Sequence, residues 1–280
     1  MYFSDSLSQY ILTVVCEIEM LSLQRQWKTL SVSFADAILT VSMNRPKVNA
    51  MSPELLTELV EVFDQTSKED KVRGVLLRSN LNSTFCAGAD LSTVYNLSVA
   101  GQKSAIDKFV FETLSRGMTA PLYCSKPVAC SLDGHTIAGG LMLALSCDYI
   151  AIGTRKPFRI GITGPIVGIP YPLKAVKLIQ HQLDPSVGYR LLVDATLHSS
   201  SDFPIKCERS ETPDDLSRKW LKMIGQRPLQ GFQTTKQKWW SNIIHLDTLD
   251  NEQEKQAYFE AVTSDECLQA MKNALAKEKS

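Results

Sequence analysis

Three features of this 280-residue sequence predict an α/β fold with a helical C-terminal part. Strand and helix patterns alternate from about residue 30 to 200, which is typical of a sheet with parallel crossovers. Apolar runs at 74–77 and 127–132 have the length and composition of buried strands. From about residue 212 only helical patterns occur. We therefore expect an N-terminal extension over residues 1–29, an α/β core over 30–200, and a helical region over 201–280.

Local signals place the elements in order. Alternating apolar and polar residues on either side of Ala35 and Asp36 predict a hairpin. Ser52 has the side chain of a helix N-cap, and Pro53 suits the first turn that follows it. The other expected strands cover residues 72–77, 128–132, 149–152 and 158–160. The expected helices cover residues 52–67, 98–118, 141–146, 173–182, 185–194, 212–224, 232–244, 252–262 and 264–277.

Composition narrows the class of protein. Thirty basic and thirty acidic residues leave no net charge, so nothing favours nucleic acid or an anionic membrane as a partner. The seven cysteines are odd in number and form no Cys-x-x-Cys pair, which favours reduced thiols and argues against a zinc site. No apolar run approaches the roughly 18 residues that a membrane span needs. We expect an intracellular protein that is not secreted, has no membrane span and binds no metal.

The first 29 residues fit no clear targeting pattern. Asp5, Glu17 and Glu19 are acidic, and a transit peptide is poor in acidic residues. Residues 20–29, in contrast, are basic, contain serine and lack acidic residues. Two interpretations stay open for this segment: a short transit peptide, or the lead-in to the first strand.

Two loops of small residues are the strongest functional signal. They are Phe85-Cys86-Ala87-Gly88-Ala89-Asp90-Leu91 and Gly134-His135-Thr136-Ile137-Ala138-Gly139-Gly140. Small residues let the backbone approach a ligand, and glycine also permits positive φ. Either loop alone is typical of a tight turn between a strand and a helix. Two such loops facing each other would aim two backbone N–H groups at one oxygen, which defines an oxyanion hole.

These loops, together with Asn44-Arg45-Pro46-Lys47-Val48-Asn49-Ala50-Met51 and Cys147-Asp148-Tyr149, resemble the crotonase superfamily of enoyl-CoA hydratases and isomerases. The match in order and spacing extends from about Ser31 to Gln182 and fades afterwards. The resemblance implies a ββα spiral core and a C-terminal helical region that covers the acyl-CoA site and helps to build homotrimers. It implies acyl-CoA as the substrate and no separate cofactor.

The resemblance also implies roles for individual residues. The backbone N–H groups of Ala89 and Gly139 would hold the enolate oxygen of a thioester. Val48 and Ala50 would lie along the adenine and pantetheine of CoA. The same channel would be lined by Ala87, Gly88, Ala89, Asp90, Leu91 and Met142. Asp90 has an alternative role as the N-cap of the helix that follows it.

The acid–base positions depart from the family pattern. Hydratases carry a glutamate shortly after the Gly-Gly pair, where this chain has Met142. An apolar residue there resembles the Δ3,Δ2-enoyl-CoA isomerases, which use one remaining carboxylate to move a proton between C2 and C4. That carboxylate would fall at Gly164, or at Thr163 if the register slips by one. No Asp or Glu occurs between Asp148 and Asp184.

Three explanations of the missing carboxylate stay open. Tyr171, Thr163 or His135 would act as the base, a bound bicarbonate would fill the gap, or the chain would bind acyl-CoA without turning it over. The resemblance as a whole favours a Δ3,Δ2-enoyl-CoA isomerase of unsaturated fatty acid β-oxidation, in mitochondria or otherwise in the cytoplasm. A carbon–carbon lyase or synthase that stabilises the same enolate with the help of bicarbonate is the competing enzyme class. Lys236 and Lys238 are either solvated lysines or ligands of the CoA phosphates.

Overall fold

The structure, a computed structural model, describes residue 23, residues 25–249 and residues 251–279. Most of the predicted N-terminal extension, including the segment with a transit-peptide composition, lies outside the described residues. No helix in the described part of the chain is long and apolar enough to cross a membrane.

The strands form two sheets. They are β1 Leu30–Ala35, β2 Ile38–Met43, β3 Gly74–Ser79, β4 Thr84–Cys86, β5 Val128–Leu132, β6 His135–Ile137, β7 Tyr149–Gly153, β8 Arg159–Gly161, β9 Leu197–Ser199 and β10 Glu208–Ser210. One sheet has the order β1-β2-β3-β5-β7-β10 and the other β4-β6-β8-β9. Only the β1–β2 and β8–β9 pairs are antiparallel; the other described pairs are parallel. The predicted α/β class is confirmed.

The helices cover both the core and the C-terminal part. They are α1 Pro53–Lys68, α2 Leu91–Ala100, α3 Lys103–Asp107, α4 Ser115–Met118, α5 Ala120–Tyr123, α6 Gly139–Leu145, α7 Leu173–Gln182, α8 Pro185–Asp194, α9 Pro213–Gly225, α10 Leu229–Ile244, α11 Glu252–Thr263 and α12 Asp265–Lys279. A π-helical turn spans Lys108–Leu114, and 3₁₀ turns span Gly164–Val167 and His245–Thr248. Ser52 caps α1 as expected, because its side chain accepts a hydrogen bond from Leu55 N.

One sequence prediction about the core is wrong, and two short strands were missed. The helix expected over residues 98–118 is broken, because Gly101 ends α2 in a left-handed conformation with φ of 62° and the chain restarts as α3. The short strands β4 and β6 were not expected. At three residues each they are too short to carry a periodic pattern.

The C-terminal region is not purely helical. Strand β10 extends the six-stranded sheet by pairing in parallel with β7, where Arg209 lies opposite Ile152. Helix α9 then packs against the same sheet through Leu221, which is almost fully buried and contacts Gly74 of β3. Residues 208–225 are therefore continuous with the core. The domain boundary near residue 200 stays a prediction.

A buried ion pair fastens α10 to the core. The Lys236 side chain is 3% exposed, and its Nζ lies 2.6 Å from Asp148 Oδ2 and 3.2 Å from the Lys126 carbonyl oxygen. Asp148 Oδ2 also accepts a hydrogen bond from Val128 N at the start of β5. Both expectations for Lys236, a solvated side chain or a phosphate ligand, are wrong because the ammonium group is buried and paired. Its neighbour Lys238 is exposed.

We expect Lys236→Met to lower the free energy of unfolding by about 3 kcal/mol, because removing one partner leaves a buried carboxylate uncompensated. Lys238→Met, the same substitution on the exposed face of α10, should change it by less than about 0.5 kcal/mol. Urea unfolding of the two variants measures the difference. Equal effects would contradict a fastening role for the pair.

Candidate active site

The candidate site lies where three parallel strands end side by side. Strands β4, β6 and β8 are neighbours in the four-stranded sheet and run in the same direction. Ala89, Gly139 and Gly164 follow the last residues of these strands by three, two and three positions. Carboxyl ends of parallel strands meet at one edge, so the sheet brings together three segments that are far apart in the sequence.

The first two segments are in contact. A Cβ atom added at Gly139 would lie 3.5 Å from Ala89 N and 3.4 Å from Gly88 Cα. A Cβ added at Gly88 would lie 2.9 Å from Gly139 N. The backbone nitrogens of residues 89 and 139 therefore lie on adjacent stretches of chain, as the oxyanion-hole hypothesis requires.

Both N–H groups are available in the described part of the chain. Parallel pairing between Met51 and Ala89 uses the N–H groups of Met51 and Asp90, and leaves that of Ala89 unused. Gly139 is the first residue of α6, where a backbone N–H has no partner within the helix. Two unpaired donors on adjacent loops can bind one oxygen atom.

Close packing fixes the residue types at this contact. Gly88 has φ of 91°, and a Cβ there would lie 2.8 Å from Ala138 Cβ. A Cβ at Gly140 would lie 2.3 Å from the Cys86 carbonyl oxygen. Only glycine fits both positions without moving the loops. Ala138 has φ of 51° and ψ of −117°, a strained conformation for a residue with a side chain.

Asn49 holds the first loop and was not singled out from the sequence as a site residue. Its buried side chain donates to Phe85 O at 2.9 Å and to Ser79 Oγ at 2.9 Å, and accepts from Arg45 N at 2.8 Å. Its carbonyl oxygen accepts from the thiol of Cys86 at 3.0 Å. Burial raises the pKa of that thiol to about 12, so Cys86 acts as a neutral donor. The sequence did contain one signal for this role, an asparagine within a loop motif. Asparagine tolerates positive φ, and Asn49 has a φ of 50°.

The other expected CoA-contacting residues surround the same loop. The Val48 carbonyl oxygen accepts from Ala87 N at 3.0 Å, and Val48 is 40% exposed. Ala50 is half-buried, and its carbonyl oxygen accepts from Arg45 Nη1. Leu91 opens α2 and is half-buried. The structure thus brings Val48, Ala50 and residues 87–91 together, with Val48 open to solvent.

Asp90 acts as a helix cap. Its carboxylate accepts from Thr93 N at 3.2 Å, and Arg45 Nη2 lies 2.8 Å from Oδ2. Although burial opposes the charged form, hydrogen bonds from Ser92 and Thr93 and the charge of Arg45 hold the pKa of Asp90 below its usual value. The expected N-cap role of Asp90 is confirmed.

The third segment lacks a carboxylate and has a phenol in its place. A Cβ added at Gly164 would lie 2.8 Å from Tyr171 Cε2, 3.2 Å from Tyr171 Oη and 3.0 Å from Ile169 O. The Tyr171 ring therefore occupies the space into which a longer side chain at residue 164 would grow. Burial raises the pKa of Tyr171, and the facing backbone N–H of Gly164 offsets this only in part. The phenol is a proton donor rather than a base at neutral pH.

The other two candidate bases are less well placed. His135 is exposed, and its Nδ1 accepts from Arg159 N at 3.0 Å. Thr163 precedes Gly164 and is half-buried, but an aliphatic hydroxyl does not ionise near neutral pH. Met142, on the first full turn of α6, is fully buried, and its apolar side chain cannot act as a base. In the described residues no group of His, Cys, Asp and Glu side chains has the geometry to hold a metal ion.

A cavity of about 490 Å³ lies elsewhere. Its lining includes Asp107, Phe111, Lys174 and Asp247, but neither Ala89 nor Gly139. It does reach Pro172, the residue after Tyr171.

Two sheets of mainly parallel strands, with two backbone N–H groups left unpaired among the described residues at adjacent strand ends, are the arrangement that the crotonase resemblance implies. The sequence profile of the enoyl-CoA hydratase/isomerase family matches residues 33–201. The chain belongs to this family.

Curated relatives match only part of the chain. Mitochondrial enoyl-CoA delta isomerase 1 of Rattus norvegicus is 32% identical over 136 residues, which cover 48% of this chain and 45% of that protein. Mitochondrial enoyl-CoA hydratase domain-containing protein 2 of Mus musculus is 34% identical over 134 residues, 47% of this chain and 40% of that protein. The matched segments thus span about half the length of these relatives or less.

Structural similarity extends further than sequence similarity. The human mitochondrial Δ3-Δ2-enoyl-CoA isomerase superposes with a TM-score of 0.79 over 90% of this chain and 98% of that one, at 20% identity. A likeness at this identity establishes the fold, including its C-terminal helices, and not the reaction.

We expect Gly88→Ala to destabilise the protein by about 3 kcal/mol or more, because overpacking against Ala138 and Gly139 N adds to the strain of a left-handed alanine. Gly101→Ala is the matched control. Gly101 also has positive φ, but a Cβ there would meet no atom within 4 Å. It should cost only about 1 kcal/mol. Equal unfolding midpoints in urea would contradict close contact between the two loops.

Proposed function

We propose that this chain binds an acyl-CoA thioester and stabilises its enolate through the backbone N–H groups of Ala89 and Gly139. The single observation that carries the proposal is the contact between the two glycine loops, which leaves two unpaired donors side by side. Donors of this kind are preorganised, because backbone need not rearrange when negative charge develops on the oxygen. The family membership of the chain supports a thioester as the ligand.

Within this chemistry we propose Δ3,Δ2-enoyl-CoA isomerisation as the specific reaction. Met142 stands where hydratases carry their first glutamate, and the isomerases that the sequence resembles also have an apolar residue there. Enoyl-CoA delta isomerase 1 is also among the curated relatives. Hydratase-named relatives match at similar identity, so the support for isomerisation over hydration comes from Met142.

Isomerisation needs a proton acceptor, and the environments of Tyr171, His135 and Thr163 do not favour that role. A small anion such as bicarbonate, bound near Gly164, is the base that we propose. The alternative, an acyl-CoA-binding protein without turnover, is favoured by one specific observation: the Tyr171 ring covers Gly164 and leaves the position without a carboxylate.

A mitochondrial location and a homotrimer belong to the same proposal. The location is supported by several relatives with a mitochondrial name. The homotrimer is supported by helices α10 to α12, which follow the core at the place where the resemblance implies a trimer-forming region.

We expect the purified protein to convert a 3-enoyl-CoA into the conjugated 2-enoyl-CoA, and to do so faster with added bicarbonate. Ultraviolet absorbance of the conjugated product measures the rate. Gly88→Ala should lower kcat by about 10²–10³-fold, because it displaces one donor of the oxyanion hole, whereas Gly101→Ala should not. Tight binding of the CoA ester without conversion would contradict isomerisation and support the binding-only alternative. Absence of binding would contradict the whole proposal.

A second prediction concerns the missing carboxylate. Gly164→Glu alone should not raise the isomerisation rate, since its side chain would collide with the Tyr171 ring. The double variant Gly164→Glu/Tyr171→Ala makes room for the carboxylate and should exceed the rate of Tyr171→Ala alone by about 10²-fold, as is typical of an added general base. Equal rates for the double and the single variant would show that residue 164 does not face the reacting carbon.

A further inference from the structure

A cavity of about 390 Å³ lies at the carboxyl edge of the six-stranded sheet, whereas the enolate site lies at the edge of the other sheet. Strands β3, β5, β7 and β10 run parallel and end beside this cavity. It is lined by residues at or just after these strand ends and by the first turn of α9. Ligands of α/β sheets bind outside the carboxyl ends of parallel strands. The cavity therefore lies where a sheet of this kind accommodates a ligand.

One buried hydroxyl in this cavity has no partner. Ser131 of β5 lines the cavity and is 3% exposed, and its Oγ makes no hydrogen bond in the described part of the chain. Ser131 lies on the same face of the sheet as Ala129, because residues two apart on a strand point the same way. Leu221 of α9 packs on that face against Ala129. The hydroxyl thus lies between the sheet and α9, where an unsatisfied polar group is unfavourable.

The charged residues around the cavity leave an excess of negative charge. Arg78 forms an ion pair with Asp214, so these two charges compensate each other. Three further carboxylates and one further guanidinium line the cavity: Asp133, Glu211, Asp215 and Arg155. All four side chains are exposed, and among the described residues none of them has an ion-pair partner. Three carboxylates against one guanidinium leave two negative charges, which favours a cation as the ligand.

The carboxylates are spread out rather than gathered at one point. In the described residues no group of three or more acidic, His or Cys side chains has the geometry to hold a metal ion. Asp133 follows β5, and a Cβ added at Gly153 of β7 would lie 2.2 Å from its Oδ1. Glu211 follows β10, on the other side of β7. Strands β5 and β10 are two strand spacings apart, about 10 Å. A ligand with two separated positive charges matches this arrangement better than a single ion.

We infer that this cavity binds a small organic dication, an aliphatic diamine, with one ammonium group near Asp133 and the other near Glu211 and Asp215. The Ser131 hydroxyl accepts a hydrogen bond from the diamine and so gains the partner that it lacks within the protein. Hydrogen bonds from a charged donor are stronger than neutral ones, which favours an ammonium group over a neutral donor. This site is separate from the proposed enolate chemistry and does not depend on it.

The chain offers matched controls for both kinds of contact. Ser98 of α2 is 2% exposed and also has an unpaired hydroxyl, but it does not line this cavity. Ser131→Ala and Ser98→Ala each remove a buried hydroxyl without a partner, so neither should lower the Tm of the free protein. Asp202 is an exposed carboxylate outside the cavity. Asp202→Asn therefore controls for the loss of one negative charge from the surface.

Calorimetric titration of the full chain with 1,4-diaminobutane at low ionic strength tests the proposal. We expect this diamine to bind, and 1,4-butanediol, which has the same carbon chain without charge, to give no binding heat. Asp133→Asn, Glu211→Gln and Ser131→Ala should each weaken binding by about 10-fold, because each removes a hydrogen bond to a charged group. Ser98→Ala and Asp202→Asn should bind the diamine as tightly as the unmodified protein does.

Each other result overturns a named part of the proposal. No binding of 1,4-diaminobutane, or equally tight binding of butylamine, would contradict a site for a dication. Displacement of the diamine by an equal concentration of Mg²⁺ would contradict an organic ligand. Unchanged affinity in Asp133→Asn or Glu211→Gln would show that the diamine binds elsewhere on the surface. Unchanged affinity in Ser131→Ala, or a lower Tm of its free form than that of Ser98→Ala, would overturn the role of Ser131.

Discussion

The parallel order of β4, β6 and β8 is the constraint on which the candidate site depends. Each strand has only three residues, yet each ends at the same edge of the sheet and releases its chain there. The register is held by hydrogen bonds that cross between the segments, such as that from Ala138 N to Gly161 O at 2.8 Å. Ala89 and Gly139 lie on contacting loops, and Gly164 follows the adjacent strand, because of this pairing and not because of any local preference.

Close packing between the two glycine loops places the two backbone N–H groups side by side. Gly88 and Gly140 let the two loops approach until no side chain fits between them. The strained backbone of Ala138 persists because hydrogen bonds from Ala138 N to Gly161 O and from Met142 N to Ala138 O hold it on both sides. Strain of this kind costs roughly 1–3 kcal/mol, and the fully buried core that surrounds the site supports it. The outcome is a pair of N–H groups that no other backbone group in the described chain uses.

Much of the fold was predictable from the sequence, and the reasons differ between elements. The hairpin β1–β2, helix α1 and the cap at Asp90 follow from local patterns. Strands β4 and β6 do not, because three residues carry no periodicity and their pairing is set by partners about 25 to 50 residues away. Strand β10 was missed for the same reason. The burial of Lys236 depends on Asp148 across the fold, so a local pattern could only suggest an exposed lysine.

The site was predictable to a similar degree. The loops containing Ala89 and Gly139 were found through their glycines and their resemblance to a family motif, and the absence of a carboxylate at Gly164 was visible as well. The sequence did not reveal that Tyr171 fills the resulting space, because seven residues and a tight turn separate the two. The role of Asn49 was hidden in the same way, since two of its side-chain partners, Ser79 and Phe85, lie in other segments. The most direct test of the account is a crystal structure of the protein with a non-hydrolysable acyl-CoA analogue. We expect the thioester-equivalent carbonyl oxygen to lie within about 3.1 Å of both Ala89 N and Gly139 N. An oxygen bound elsewhere, or in contact with neither nitrogen, would contradict the account.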